Sequence, residues 1–213
     1  MSAQRVHLIR HGEVHNPDGI LYGRLPNFRL SSRGEKMALL AAQDLHSQGR
    51  NVTHLVASPL QRTRESAAPV AKIFSIEPHI DERVIEPFNV FEGKAVSMAS
   101  ILRKPHLWWQ VRNPMRPSWG EPFVSVRSRM LAALEDAWAD TANGDAVIVS
   151  HQMPIWTTHL AVAGERLFHN PKLRRCALSS ITSFEKVDGE FVEVDYREPA
   201  AGLLAGAIDV GAV

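Results

Sequence analysis

Short apolar runs alternate along this chain with longer stretches whose apolar positions recur every three or four residues. Val6-His7-Leu8-Ile9, the segment from Val52 to Ala57 and Ala146-Val147-Ile148-Val149 are the short runs. Each leads at once into a tight polar turn: Arg10-His11-Gly12, Ser58-Pro59-Leu60-Gln61-Arg62 and Ser150-His151-Gln152. Between them, Met37, Leu40, Ala41 and Leu45 form one stripe of a helix over Arg33 to Leu45. Leu60, Ala67, Val70 and Phe74 form another. Ser58 is placed to cap that second helix and Pro59 to open it, with Pro69 expected to kink it. Phe123 to Trp138 reads as a long amphipathic helix, and Pro154 can start one more. Asp188-Gly189, between Ile181 to Val187 and Glu190 to Tyr196, signals a hairpin. Uniformly apolar runs joined through helices predict parallel strands covered on each face. The expected fold class is α/β, a three-layer α/β/α arrangement around a mostly parallel central sheet.

At 213 residues the pattern predicts a single domain over 1–213, with one irregular stretch read as a lid-like insert at about 94–122. Leu102 to Pro122 holds Trp108, Trp109 and Trp119, four prolines, and Arg103, Lys104, Arg112 and Arg116 against one acid, Glu121. Aromatic and basic residues together suit single-stranded nucleic acid. The whole chain, however, carries 24 basic and 23 acidic residues and a net charge of +1, so no broad positive field holds a polyanion or an anionic membrane. The single cysteine, Cys176, excludes an intrachain disulfide and a cysteine-rich zinc site. A strand-like run close behind Met1 leaves no room for a signal peptide, and the apolar stretch Ala200 to Val213 is too short and interrupted to span a bilayer. A cytoplasmic protein, monomer or homodimer, with no membrane or nucleic-acid partner is expected.

Ligands of open α/β sheets bind beyond the carboxyl ends of the strands. The three turns put Arg10, His11, Arg62 and His151 at that edge. Two arginines and two histidines there describe an anion site, and Arg62 adds the free N–H groups of a helix start. Gln152 and Pro154 mark a similar start. Guanidinium forks match phosphate oxygens, and imidazole can attack phosphorus to give a covalent intermediate.

Arg10-His11-Gly12-Glu13, Ser58-Pro59-Leu60-Gln61-Arg62-Thr63 and Val149-Ser150-His151, in that order at strand ends, resemble the motifs of the histidine phosphatase superfamily, the phosphoglycerate-mutase-like proteins. The resemblance spans residues 5 to about 155 and implies that fold. It implies that His11 becomes phosphohistidine, that Arg10, Arg62 and His151 hold the phosphoryl oxygens, and that Asn16 stands at the phosphate; Gln152, at its helix start, is a further candidate for phosphate binding. Glu86 resembles the acid that protonates the leaving oxygen and then activates water. Glu86-Pro87-Phe88-Asn89-Val90-Phe91-Glu92-Gly93 is one residue shorter than the family's usual stretch. Glu13 is a rival acid with a supporting role. Tyr22 and Gly23, in the loop after the nucleophile, are candidates for substrate contact.

Gln152 stands where the family usually has glycine, and stretches typical of true mutases are absent. The expectation is therefore a metal-independent phosphomonoesterase with no cofactor, acting on a small phosphorylated metabolite and releasing inorganic phosphate. A cofactor-dependent phosphoglycerate mutase and a non-catalytic phospho-ligand binder are the alternatives. His11 must present an unprotonated nitrogen, with its other nitrogen bonded to a backbone carbonyl, and His151 is expected to be cationic during transfer.

Overall fold

The computed structural model describes residues 3–95 and 119–209. In chain order the elements are β1 (Arg5–Arg10), α1 (Ser32–Ser47), β2 (Val52–Ala57), α2 (Gln61–Phe74), β3 (His79–Ile80), α3 (Phe123–Asp140), β4 (Asp145–Ser150), α4 (Gln152–Val162), β5 (Ile181–Val187) and β6 (Glu190–Arg197). Short 3-10 turns cover Glu82–Val84, Pro171–Leu173 and Ala201–Leu203.

The six strands form one sheet in the order β3-β2-β4-β1-β5-β6. β1, β2 and β3 run parallel to their neighbours on the β4 side, while β5 and β6 are antiparallel additions at the other edge. The expected mostly parallel α/β/α architecture is thus present. Every residue of β4 is buried, because helices cover both faces of the sheet. Ala146 and Ile148 pack with Val126, Met130 and Leu134 of α3 and Ile155 of α4. Val147 and Val149 point the other way, into Ala41 and Leu45 of α1 and Ala67 and Val70 of α2. The period-2 alternation of one strand therefore fills two cores.

Boundaries follow the expectations closely with one correction. The hairpin turns at Asp188 (φ 52°) and Gly189 (φ 87°), two consecutive left-handed residues that match the twist of β5 and β6. Helix α2 begins at Gln61, not Pro59, and its cap position is Leu60 with no side-chain bond. Ser58, expected to cap it, is committed elsewhere. Most of the insert expected at about 94–122 lies outside the described residues. Its described end bridges Gly120 to Asn89, and Glu121 pairs with Arg129 of α3. Among the described residues, no helix is long and apolar enough to cross a membrane.

Candidate active site

The carboxyl edge of β1, β2 and β4 is stitched together by backbone. The His11 N–H donates to Ser150 O (3.1 Å) and the Ser58 N–H to Val149 O (3.1 Å). These bonds carry the three polar turns to one place, and the His11 and His151 rings lie 5.2 Å apart. Glycine is required behind them. A Cβ on Gly12 would stand 2.3 Å from Gly34 O, and one on Gly34 would stand 2.0 Å from Glu13 O. Backbone of α1 therefore packs directly on the loop that holds His11.

His11 Nδ1 lies 2.8 Å from Gly12 O. A carbonyl only accepts, so Nδ1 carries the proton and Nε2 keeps its lone pair. Burial, then Arg62 and Arg10, hold the imidazole well below its ordinary pKa, against the weaker pull of Gly12 O. The ring is neutral at neutral pH. His151 is likewise pushed well below the ordinary value, by burial first and by Arg62 next. Its Nδ1 accepts from Arg62 Nη2 (3.2 Å), which leaves Nε2–H to donate to Ser58 Oγ (2.8 Å). The resting site thus presents two guanidinium cations and two neutral imidazoles. Ser58 serves the histidine and not the helix.

Arg62 is buried at the start of α2. Its Nη2 donates to Gly23 O (2.8 Å) as well as to His151, and its guanidinium lies 4.8 Å over the Tyr22 ring. Its Nε is buried with no partner, and so is Arg10 Nε. Native proteins rarely leave buried donors unpaired. Two such donors from two arginines, beside an imidazole lone pair, are what a phosphoryl group's oxygens would satisfy. Burial raises the Glu86 pKa, against Arg62, Arg174 and Arg10 in turn, and its Oε2 takes no hydrogen bond, lying 3.8 Å from His151 Nδ1. A carboxyl whose pKa is raised by burial holds its proton to higher pH and is suited to proton donation. Its backbone is gripped: Arg24 Nε donates to Glu86 O (2.6 Å) and Ser150 Oγ to Val84 O (2.7 Å).

These groups line one narrow cleft that opens to solvent. Arg10, His11, Tyr22, Gly23, Arg62, Glu86 and Gln152 all face it, together with Leu21, Pro87 and Asn89. His151 stands just behind, against Arg62. Asn16 is elsewhere in the loop: its amide donates to Ile20 O (2.9 Å) and accepts from Ile20 N (3.2 Å). Those two bonds shape the loop that carries Tyr22. Glu13 turns away from the cleft, accepting from Ser31 Oγ, Arg33 Nη1 and Ile208 N. Cys176 is buried and its thiol pushed up to about 11, chiefly by desolvation, so it is no nucleophile.

The family model "Histidine phosphatase superfamily (branch 1)" matches residues 6–198. The chain belongs to the histidine phosphatase superfamily. An uncharacterized protein of Mycobacterium tuberculosis is 46% identical over 198 residues, which are 92% of this chain and 97% of that one. Phosphoserine phosphatase 1 of Hydrogenobacter thermophilus is 32% identical over 162 residues, 74% of this chain and 75% of that one. Among solved structures, a phosphoserine phosphatase from Entamoeba histolytica in complex with 3-phosphoglyceric acid superposes with a TM-score of 0.73. It has 24% identity and covers 90% of this chain and 95% of that chain.

This histidine phosphatase also places beside Gln152 an arginine that the sequence did not assign to the site. Arg174 donates through Nε to His169 Nε2 (2.8 Å) and through Nη1 to Gln152 Oε1 (3.4 Å). Desolvation, offset by Glu86, brings its pKa down to about 10. Its own pattern, Arg174-Arg175-Cys176, gave no hint, because it reaches Gln152 from an irregular segment between α4 and β5.

Proposed function

We propose that the protein is a metal-independent phosphomonoesterase that works through a phosphohistidine at His11. The observation that carries this reading is the His11 Nδ1–Gly12 O bond, which leaves Nε2 unprotonated beside two guanidinium groups with unpaired donors. Nε2 attacks phosphorus in line and the P–O bond to the alcohol breaks. Glu86 gives its proton to the departing oxygen. Arg10 and Arg62 meet the charge on the equatorial oxygens, work that is chiefly electrostatic. His151 holds Arg62 in place through Nδ1. In the second half, Glu86, now a carboxylate, takes a proton from water as that water attacks phosphorus, and the N–P bond breaks to return His11 and release inorganic phosphate. The named phosphatase among its relatives supports phosphate esters of small metabolites as the substrate class.

The test is hydrolysis of p-nitrophenyl phosphate by the wild type and by His11→Ala, in buffer containing a metal chelator. Wild-type turnover with a loss of at least about a thousandfold in the variant is expected, since the nucleophile has no substitute. Equal activity in the two proteins, or loss of wild-type activity to the chelator, would overturn the reading.

A further inference from the structure

Arg10 is oriented by a residue far along the chain. A guanidinium has five N–H hydrogens in one plane. Arg10 Nη1 spends two, on Cys176 O (2.7 Å) and Asp209 Oδ2 (2.8 Å), and Nη2 spends one on Asp209 Oδ1. The far end of the fork is thereby filled. What remains is the side edge, formed by the second Nη2 hydrogen and by the buried, unpartnered Nε–H. Arg10 lines the cleft and Asp209 does not.

We infer that Asp209 is a positioning residue: by gripping Arg10 end-on it turns the Nε/Nη2 edge of the guanidinium toward a phosphoryl group on His11. The inference rests on the phosphatase reading above. Burial alone would work against the charge on Arg10, which is only 2% exposed, and the Asp209 carboxylate more than offsets this. Asp209 itself keeps 36% of its side chain in solvent, so its own charge is cheaply held. Delivery of Asp209 is built in. Ile208 N donates to Glu13 Oε1 (2.8 Å), and Arg33 Nη1 bridges Glu13 (3.2 Å) and Gly206 O (2.5 Å). Leu203, Leu204 and Ala207 pack on the cluster of Met37, Leu178 and Ala200. Glu13, two residues after the nucleophile, is therefore the anchor for the segment that carries Asp209.

A plug reading makes the opposite prediction, since a carboxylate that competed with phosphate for Arg10 would weaken binding. The experiment compares Asp209→Ala and Asp209→Asn, each in the wild-type and Arg10→Lys backgrounds. It measures inorganic phosphate binding by calorimetry and p-nitrophenyl phosphate kinetics. Positioning predicts that Asp209→Ala raises the phosphate Kd and the KM about tenfold, one charge-assisted bond's worth, and lowers kcat as well. Asp209→Asn, which keeps one acceptor, falls between. In the Arg10→Lys background, which has no fork to aim, Asp209→Ala changes nothing further. Tighter phosphate binding in Asp209→Ala, or an equal loss in both backgrounds, overturns the proposal. If the wild type binds phosphate with this Asp209 dependence yet hydrolyses nothing, the positioning role stands and the phosphatase reading falls. A wild type that binds no phosphate overturns both.

Discussion

The two ends of the sheet bury polar groups in opposite ways. At the amino edge His7 contacts Ser183 Oγ (2.8 Å) and Asp145 Oδ2 (3.4 Å), and Arg50 forks Asp145 at 2.7 and 2.8 Å. No atom of His7, Asp145 or Ser183 is among the buried polar atoms without a partner. At the carboxyl edge Arg10 Nε, Arg62 Nε and Glu86 Oε2 all lack a hydrogen bond, and all three residues line one cleft. Each edge holds histidine, arginine and a carboxylate. What separates them is satisfaction: a closed network contributes to stability, whereas an open one holds unspent donors for a ligand. Access separates them too, since His7 and Ser183 are fully buried whereas the carboxyl-edge groups line an open cleft.

The comparison is broken most severely at Glu86. Glu86→Gln keeps the shape but cannot exchange a proton, and kcat is expected to fall roughly 10²- to 10⁴-fold. The pH profile is the sharper measurement. His11 is depressed, so its neutral form persists well below the usual imidazole range and the acid limb moves down. Glu86 is raised above the ordinary 4.5, and activity that needs its protonated form declines as pH rises through that raised value. The alkaline limb should vanish in Glu86→Gln with p-nitrophenyl phosphate. Retention of the limb would assign it to another group.

Next in size is Arg62→Met, which keeps an unbranched apolar side chain and removes the charge that lies over the Tyr22 ring. Loss of a charge-stabilising donor predicts a fall of about 10²- to 10³-fold in kcat/KM. Stability should move the other way or not at all. Burial holds the Arg62 pKa down, so the folded state carries an incompletely compensated cation. A thermal midpoint equal to or above that of the wild type is expected. A large drop would place Arg62 with the closed network of the opposite edge.

Much of this division was legible in the sequence, for a physical reason. Strands that end in Arg10-His11, Ser58 and Ser150-His151 announce themselves by apolar period, and a parallel sheet forces their carboxyl ends together. His11, Arg62 and His151 could thus be assembled without knowing any contact. Glu86 followed only from motif resemblance, because the turn that carries it has no period. Ser58 was read as a cap because its neighbour is proline, yet its hydroxyl is held by a histidine 93 positions away. Arg174 and Asp209 were illegible: each arrives on irregular backbone, and Asp209 stood out only as a break in an apolar run. Whether a charge on such a segment meets solvent or a guanidinium is decided by tertiary docking alone.

The smallest effect on catalysis, and the largest on stability, is expected at Asp145. Asp145→Ala strips the partner from the half-buried Arg50 and from the buried Nε2–H of His7. Breaking a buried pair costs about 3 kcal/mol, which in a domain of this size is a midpoint drop of roughly 10 °C. Turnover by the folded variant should match the wild type, because Asp145 and the nucleophile lie at opposite ends of their strands. The sign with pH is fixed. After the opposing cost of burial, the bonds from His7 and Arg50 hold the Asp145 carboxyl below its ordinary 3.8. Its contribution is therefore present in full above that value and lost as pH falls through the lowered one. The stability gap between wild type and Asp145→Ala should be constant near neutrality and close in acid below about pH 3.8. Denaturant melts across that range check it. A gap that persisted at low pH would mean that packing around Asp145, and not its charge, holds the amino edge together.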